Sequence, residues 1–256
     1  NTAALAAWLA SNGGASASDI CSGGRWSNNY TGLTKTCGNT GNATVTFTAT
    51  DSCGNATSTT ATFTIIDTIA PTIDTDAADL TVACDGQGNT AALAAWLASN
   101  GGASASDVCS GVRWTNNFTG LSDGCGATGA ATVTFTATDS CGNATSTTAT
   151  FTIIDTIAPT IDTEASDLTV ACDGQGNTAA LAAWLASNGG ASASDVCSGV
   201  RWSNDYSGLS DGCGATGAAT VTFTATDSCG NATSTTATFT IVDTIAPTID
   251  TEASDL

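Results

Sequence analysis

Residues Ala131–Ile161 read ATVTFTATDSCGNATSTTATFTIIDTIAPTI, and this stretch decides the fold. From Thr132 to Thr138 the chain alternates. Val133, Phe135 and Ala137 fall on one face and Thr132, Thr134, Thr136 and Thr138 on the other, the period of a half-buried strand. Asp139-Ser-Cys-Gly-Asn143 is turn chemistry, after which Ala149, Phe151 and Ile153 alternate with Thr148, Thr150 and Thr152. The unit reads as an antiparallel hairpin with an apolar inside and a threonine-coated outside. Asp155-Thr-Ile-Ala-Pro159 then closes it, because Pro159 has no N–H to give to a ladder.

The stretch returns almost unchanged at Ala43–Ile73 and Ala219–Ile249, and Asn1, Asn89 and Asn177 open copies spaced 88 residues apart. That period exceeds the roughly 20 to 45 residues of a solenoid repeat and approaches the roughly 100 of one immunoglobulin-like domain. The expected fold class is therefore all-β: tandem Ig-like β-sandwich domains of an 88-residue repeat, each with one short inserted α-helix. Linker logic predicts an incomplete repeat over 1–68 that lacks its N-terminal strands. Complete repeats follow over 69–156 and 157–244, and 245–256 is the first strand of a further one. Such a frame also allows one chain to donate that strand to another, unless the window is simply cut from a longer polypeptide.

Within 157–244 the spacing predicts strands at Thr160–Asp162, Leu168–Cys172, Ala191–Asp195, Val200–Asn204, Thr220–Thr226 and Ser234–Val242. Asn177–Gly190 reads as the helix, with Asn177 as its N-cap, an Ala-rich body and a Gly stop. Leu181, Trp184 and Leu185 form its narrow apolar stripe, and Trp202 stands where Ig-like sandwiches often bury a tryptophan.

Four basic against 23 acidic residues give a net charge of −19, which argues against nucleic acid and anionic membranes as partners and for cations. No apolar run approaches the roughly 20 residues that a membrane span requires, so no membrane insertion is expected. The absence of histidine removes the Ser-His-Asp and Cys-His catalytic arrangements, and no enzyme is expected.

Eleven cysteines recur at four regular positions per copy, 25, 16 and 16 residues apart from Cys84 to Cys141. They contain no CxxC pair, which favours disulfides in an oxidising, extracellular setting over thiolate zinc. Three connectivities are open in each copy. The two Asp-x-Cys signals close strands that end at one pole of a sandwich, so the preferred pairing is Cys197 with Cys229 and, by remainder, Cys172 with Cys213. The same rule joins Cys109 to Cys141, Cys84 to Cys125 and Cys21 to Cys53.

The motifs ASDVC, ATDSCGN and IDTIAPTI together resemble the hyalin-repeat-like, Ig-like tandem domains of long surface and secreted proteins of Bacteroidota. The resemblance implies an extracellular stalk, adhesin or fibre without catalytic activity. Asp-Thr-Ile at Thr68, Thr156 and Thr244 resembles the O-glycosylation motif of the same phylum, and modification is expected there.

If one domain's last strand ends beside the next domain's upper pole, Asp67 meets Asp107 and Asp139, and Asp155 meets Asp195 and Asp227. Three like charges at one junction either splay apart or take up a hard cation. The expectation is one structural Ca2+ per junction, with Asp74 and Asn143 completing the first oxygen shell. The competing reading is that each Asp only caps its own turn. Besides self-association, a surface glycan is the alternative partner, met by Arg113, Trp114 and the Asn116–Thr119 loop. Ice is a further alternative, met by the threonine rows, although sheet twist works against a flat lattice.

Overall fold

The computed structural model describes residues 1–21 and 23–253. In the copy that opens at Asn1, α1 (Thr2–Ala10) precedes β1 (Arg25–Asn28), β2 (Thr34–Lys35), β3 (Gly41–Thr50) and β4 (Ala56–Ile65). The middle copy contributes β5 (Thr72–Thr75), β6 (Leu80–Ala83), α2 (Thr90–Ala98), β7 (Ser104–Ser106), β8 (Val112–Asn116), β9 (Gly129–Asp139) and β10 (Ala144–Ile154). The third repeats that order with β11 (Thr160–Thr163), β12 (Leu168–Ala171), α3 (Thr178–Ala186), β13 (Ser192–Ser194), β14 (Arg201–Asn204), β15 (Gly217–Thr226) and β16 (Ala232–Val242). The chain is thus mostly strand, built of tandem Ig-like sandwiches that each carry one short helix.

By compactness the chain divides into two units. One comprises residues 1–79, 95–119 and 132–150, the other 80–94, 120–131 and 151–256. In the first, β4 and β1 flank β3, which also pairs with the short β2. A two-stranded sheet β5-β7 lies alongside, and β8 runs antiparallel to β9. In the second, β6 runs parallel to β10, β11 pairs with β13, and a four-stranded sheet follows the order β12-β16-β15-β14.

The alternation read from the sequence is the alternation of burial. Along β15, Val221, Phe223 and Ala225 are buried and Thr220, Thr222, Thr224 and Thr226 are not. Threonine hydroxyls pair across the hairpins instead, Thr44 with Thr62 at 2.9 Å, Thr132 with Thr150 at 3.0 Å and Thr220 with Thr238 at 3.1 Å. Rows of hydroxyls satisfied by one another suit the outside of a sheet.

The core of the third copy gathers Leu181, Trp184, Val221, Phe223, Ala237, Phe239 and Ile241. The Trp184 ring meets Phe223 edge-on at 5.1 Å and Phe239 at 5.6 Å, and its indole N–H donates to the Ser166 carbonyl at 3.0 Å. Two local expectations are corrected here. The buried tryptophan is the helical Trp184, whereas Trp202 is only half-buried against the same core. Asn177 does not cap the helix. It sits in the left-handed region, its amide donating to the Ala171 carbonyl and its Oδ1 accepting from Asp173 N–H. These bonds fasten the loop before the helix to the end of β12.

The expected strand within 245–256 is not formed as far as Ala253, and 254–256 lie outside the described residues. Its counterparts β5 and β11 are strands because β7 and β13 stand beside them.

Candidate functional site: the turns and loops that join successive copies

The chemistry-bearing residues gather at the hairpin turns. In the first unit, Asp139 is only 6 % exposed at the end of β9. Its Oδ1 accepts from Cys141 N–H at 2.8 Å and Asn143 N–H at 2.9 Å, and its Oδ2 from the Asn143 amide at 2.8 Å. Burial is the largest influence on this carboxyl and pushes its pKa up. The Asn143 bonds and the backbone N–H donors outweigh it and hold the pKa below the usual aspartate value. Asp227 repeats this arrangement in the second unit with Cys229 and Asn231.

Asn143 also reaches the preceding copy, its amide donating to the Asp67 carbonyl at 3.3 Å, and Asn231 does the same to Asp155. Asp67, Asp107 and Asp139 thereby come together, with carboxylate oxygens within 4.8 Å of one another. Asp107 caps its own turn through Cys109 and Ser110 N–H, and Asp67 accepts from Ile69 N–H at 3.2 Å. One oxygen stays unmatched in each unit: Asp67 Oδ2 and Asp155 Oδ2 are buried without a hydrogen-bond partner. A buried carboxylate oxygen with no donor, next to two more carboxylates, has the chemistry of a hard-cation ligand.

Not every residue expected at these clusters is there. In the second unit the group within 4.8 Å is Asp155, Asp227 and Cys229, without Asp195, which is turned to Cys197 and Ser198 N–H. Cys229 is disulfide-bonded and supplies no thiolate. Asp74 is exposed and accepts from the Ser106 hydroxyl at 3.0 Å, while Asn143 enters the cluster as a donor.

The disulfides correct the sequence reading most. Cys37 bonds Cys141 in the first unit, and Cys84 bonds Cys197 and Cys125 bonds Cys229 in the second. Each joins one copy to the next. The separations of 104, 113 and 104 residues equal one period of 88 plus 16, 25 and 16. None of the expected pairs Cys197–Cys229, Cys172–Cys213, Cys109–Cys141, Cys84–Cys125 or Cys21–Cys53 forms; Cys21, Cys53, Cys109, Cys172 and Cys213 are free thiols.

The reason is occupancy. The strand ends bearing Cys197 and Cys229 do lie together, tied by Ser228 N–H on the Ser198 hydroxyl at 3.2 Å. A loop of the preceding copy occupies the place between their sulfurs: Ala127 N–H donates to the Cys197 carbonyl at 2.8 Å while Cys125 takes Cys229. The loop carries Gly126 with φ +59°, and a Cβ there would stand 2.5 Å from the Cys197 oxygen, so only glycine permits this approach. In the first unit Asn39 N–H donates to the Cys109 carbonyl at 2.9 Å beside Cys37–Cys141. The free Cys109 thiol there has its pKa pushed up, first by burial and then by Asp67, Asp107 and Asp139.

Thr68, Thr156 and Thr244 are exposed. In the Asn116–Thr119 loop, the Asn116 oxygen accepts from Phe118 N–H and the Asn117 oxygen from Thr134 N–H, so both amides serve the loop itself. Among the described residues no helix is long and apolar enough to cross a membrane.

No family model and no curated protein matches the chain. Solved structures similar to it include protocadherin gammaB7 EC3-6, at 14 % identity and TM-score 0.29 over 79 % of this chain and 58 % of that one. Drosophila N-cadherin EC1-4 gives 13 % identity and TM-score 0.30 over 81 % and 59 %, and mouse clustered PcdhgC3 EC1-3 gives 10 % and 0.28 over 81 % and 79 %. The chain spans less than two thirds of the first and of the Drosophila structure.

Proposed function

We propose that the chain is a structural segment of an extracellular stalk or filament, made of the repeats 1–68, 69–156 and 157–244. It would act by spanning distance and bearing load, in the manner of the hyalin-repeat-like arrays it resembles. The observation that carries this reading is that every disulfide joins one copy to the next. A bond inside one domain raises only that domain's stability. A bond between copies limits their hinging and passes tension along the array, and it requires an oxidising compartment. The scarcity of basic residues and the absence of histidine fit a role without chemistry.

Structural Ca2+ belongs to the same reading. Asp67, Asp107 and Asp139 would hold it in the first unit, and Asp155 with Asp227 in the second. The ion would neutralise the clustered charge and supply the unmatched Oδ2 atoms with a partner. Three measurements test the reading. Small-angle scattering of oxidised chain should give a larger persistence than reduced chain, and calorimetry should detect Ca2+. Loss of Ca2+ binding in Asp67→Asn would assign the site. Equal scattering from oxidised and reduced chain would contradict the mechanical role. Mass spectrometry of native material tests modification at Thr68, Thr156 and Thr244.

A further inference from the structure

The two bridge separations form a rule that also accounts for the free cysteines. A Cys125-type residue bonds the Cys229-type turn 104 residues on, and a Cys84-type residue bonds the Cys197-type turn 113 on. All partners that the rule puts inside residues 1–256 are bonded, and for each of the five free thiols it puts the partner outside that range. Cys213 and Cys172 need the turns of a following copy; Cys53 and Cys21 need the loops of a preceding one.

The surfaces around these thiols already have the shape of the filled junctions. Gly214 holds φ +61° against +59° at Gly126, and Thr216 closes its loop on the Cys213 carbonyl at 2.8 Å as Thr128 does on Cys125 at 2.7 Å. Gly174 holds φ +71° against +70° at Gly86. Yet Gly86 lies on Val196 and Gly126 on Cys197 and Ser198, whereas Gly174 and Gly214 face nothing within 4 Å. The third copy therefore presents a preformed plug.

The first copy presents the matching socket. A cavity of about 230 Å³ is lined by Ser18, Asp19, Asp51 and Asn55, the counterparts of the residues around Asp107, Asp139 and Asn143. In the filled junction the Asp67 end of β4 stands there, tied by Asn143. Ile20 is 103 % exposed, while its counterpart Val196, under Gly86, is 67 % exposed. Ser16–Ser18 form no strand, although their counterparts β7 and β13 pair with β5 and β11, and Thr248–Thr251 are the counterpart of those two partners.

We infer that the plug of one chain docks in the socket of a second copy of this chain, head to tail, and is locked by Cys213–Cys53 and Cys172–Cys21 disulfides between the two. The contact is heterologous and leaves a plug and a socket at the ends, so it propagates. Each link consumes one molecule of a small disulfide oxidant such as glutathione disulfide. A cysteine thiolate displaces one glutathione thiolate to give a mixed disulfide, and the partner thiolate displaces the second. The two thiolates released take up the two protons given up by the cysteines, and the two electrons end on glutathione.

This rests on the reading of the chain as a disulfide-joined array, and the test separates the two. The full 256-residue chain is reduced, reoxidised in a glutathione buffer, and read by non-reducing denaturing electrophoresis and peptide mass spectrometry. Wild type is expected to form a ladder in steps of 25.0 kDa. A Cys172→Ser/Cys213→Ser chain and a Cys21→Ser/Cys53→Ser chain are each expected to remain monomeric, and their mixture to stop at dimer. Wild type that forms its three internal bonds and stays monomeric would overturn the inference and leave the proposed function standing. Ladders that persist in the double variants would also overturn it. Failure of the internal bonds themselves would overturn both.

Discussion

The copies opening at Asn1 and at Asn177 have nearly the same hairpin, yet Phe239 is fully buried and its counterpart Phe63 only half-buried. Trp184 is likewise buried where Trp8 is half-exposed, although Trp8 meets Phe47 and Phe63 at 5.2 and 5.4 Å, distances close to those in the third copy. The difference lies in β12. Leu168 and Val170 stand in register with Phe239 and Ile241 and cover that edge, and the described residues within 1–68 contain no counterpart of this strand. The hairpin and helix therefore set the geometry of the core, and the opening strands complete its burial.

Several changes break or sharpen that comparison. The largest effect should come from the cross-copy bond, which the third copy receives at its hairpin turn and the first does not. Cys229→Ser is expected to cost the folded third copy about 4.7 kcal/mol, the chain-entropy value for a loop of about 100 residues. Cys53→Ser, at the same place in the first copy, should change nothing. Urea melts under oxidising conditions read both. Next, Phe239→Ala should cost about 3–5 kcal/mol, as a fully buried ring does, and Phe63→Ala distinctly less. Equal losses at the two positions would show that β12 adds nothing to the core.

Acid should treat the copies alike, because their turns are alike. Asp51 is held below the ordinary carboxylate value of 3.8 by the Asn55 side chain and neighbouring N–H groups; Asp227 is held below it by Asn231 and its turn, against its burial. A lowered folded pKa contributes stability that is complete above the ordinary value and is lost as pH falls through the folded one. Near-UV circular dichroism should therefore stay flat down to about pH 4 and decline below it. The smallest effect is expected at Ser194, whose exposed hydroxyl donates to Asp162 at 3.0 Å. Ser194→Ala should cost at most about 1 kcal/mol in a urea melt, and Ser18→Ala in the first copy nothing.

Most of the fold was legible because alternation and turn chemistry act locally. Thr132–Thr138 and Asp139–Asn143 carry their strand and turn on their face, and the Leu181 and Trp184 stripe its buried side. What could not be read was which copy a residue addresses. Cys141 and Cys53 occupy identical surroundings in sequence, so a pairing with Cys125 and one with Cys37 satisfy the same local logic. The signal that favours the second is Gly126, whose freedom has no use inside its own copy and is needed only where the loop meets the next one. Asn177 misled for a related reason. A residue type suited to a helix cap is equally suited to tying a loop, and the Ala171 carbonyl took it.

The central claim, that covalent bonds run between copies and not within them, is tested most directly by two variants that each keep two of the 11 cysteines. One retains Cys125 and Cys229, the other Cys197 and Cys229, with serine elsewhere. After oxidation, the intact mass of the first should fall by two hydrogens and that of the second should not change. A bond in the second and none in the first would contradict the account.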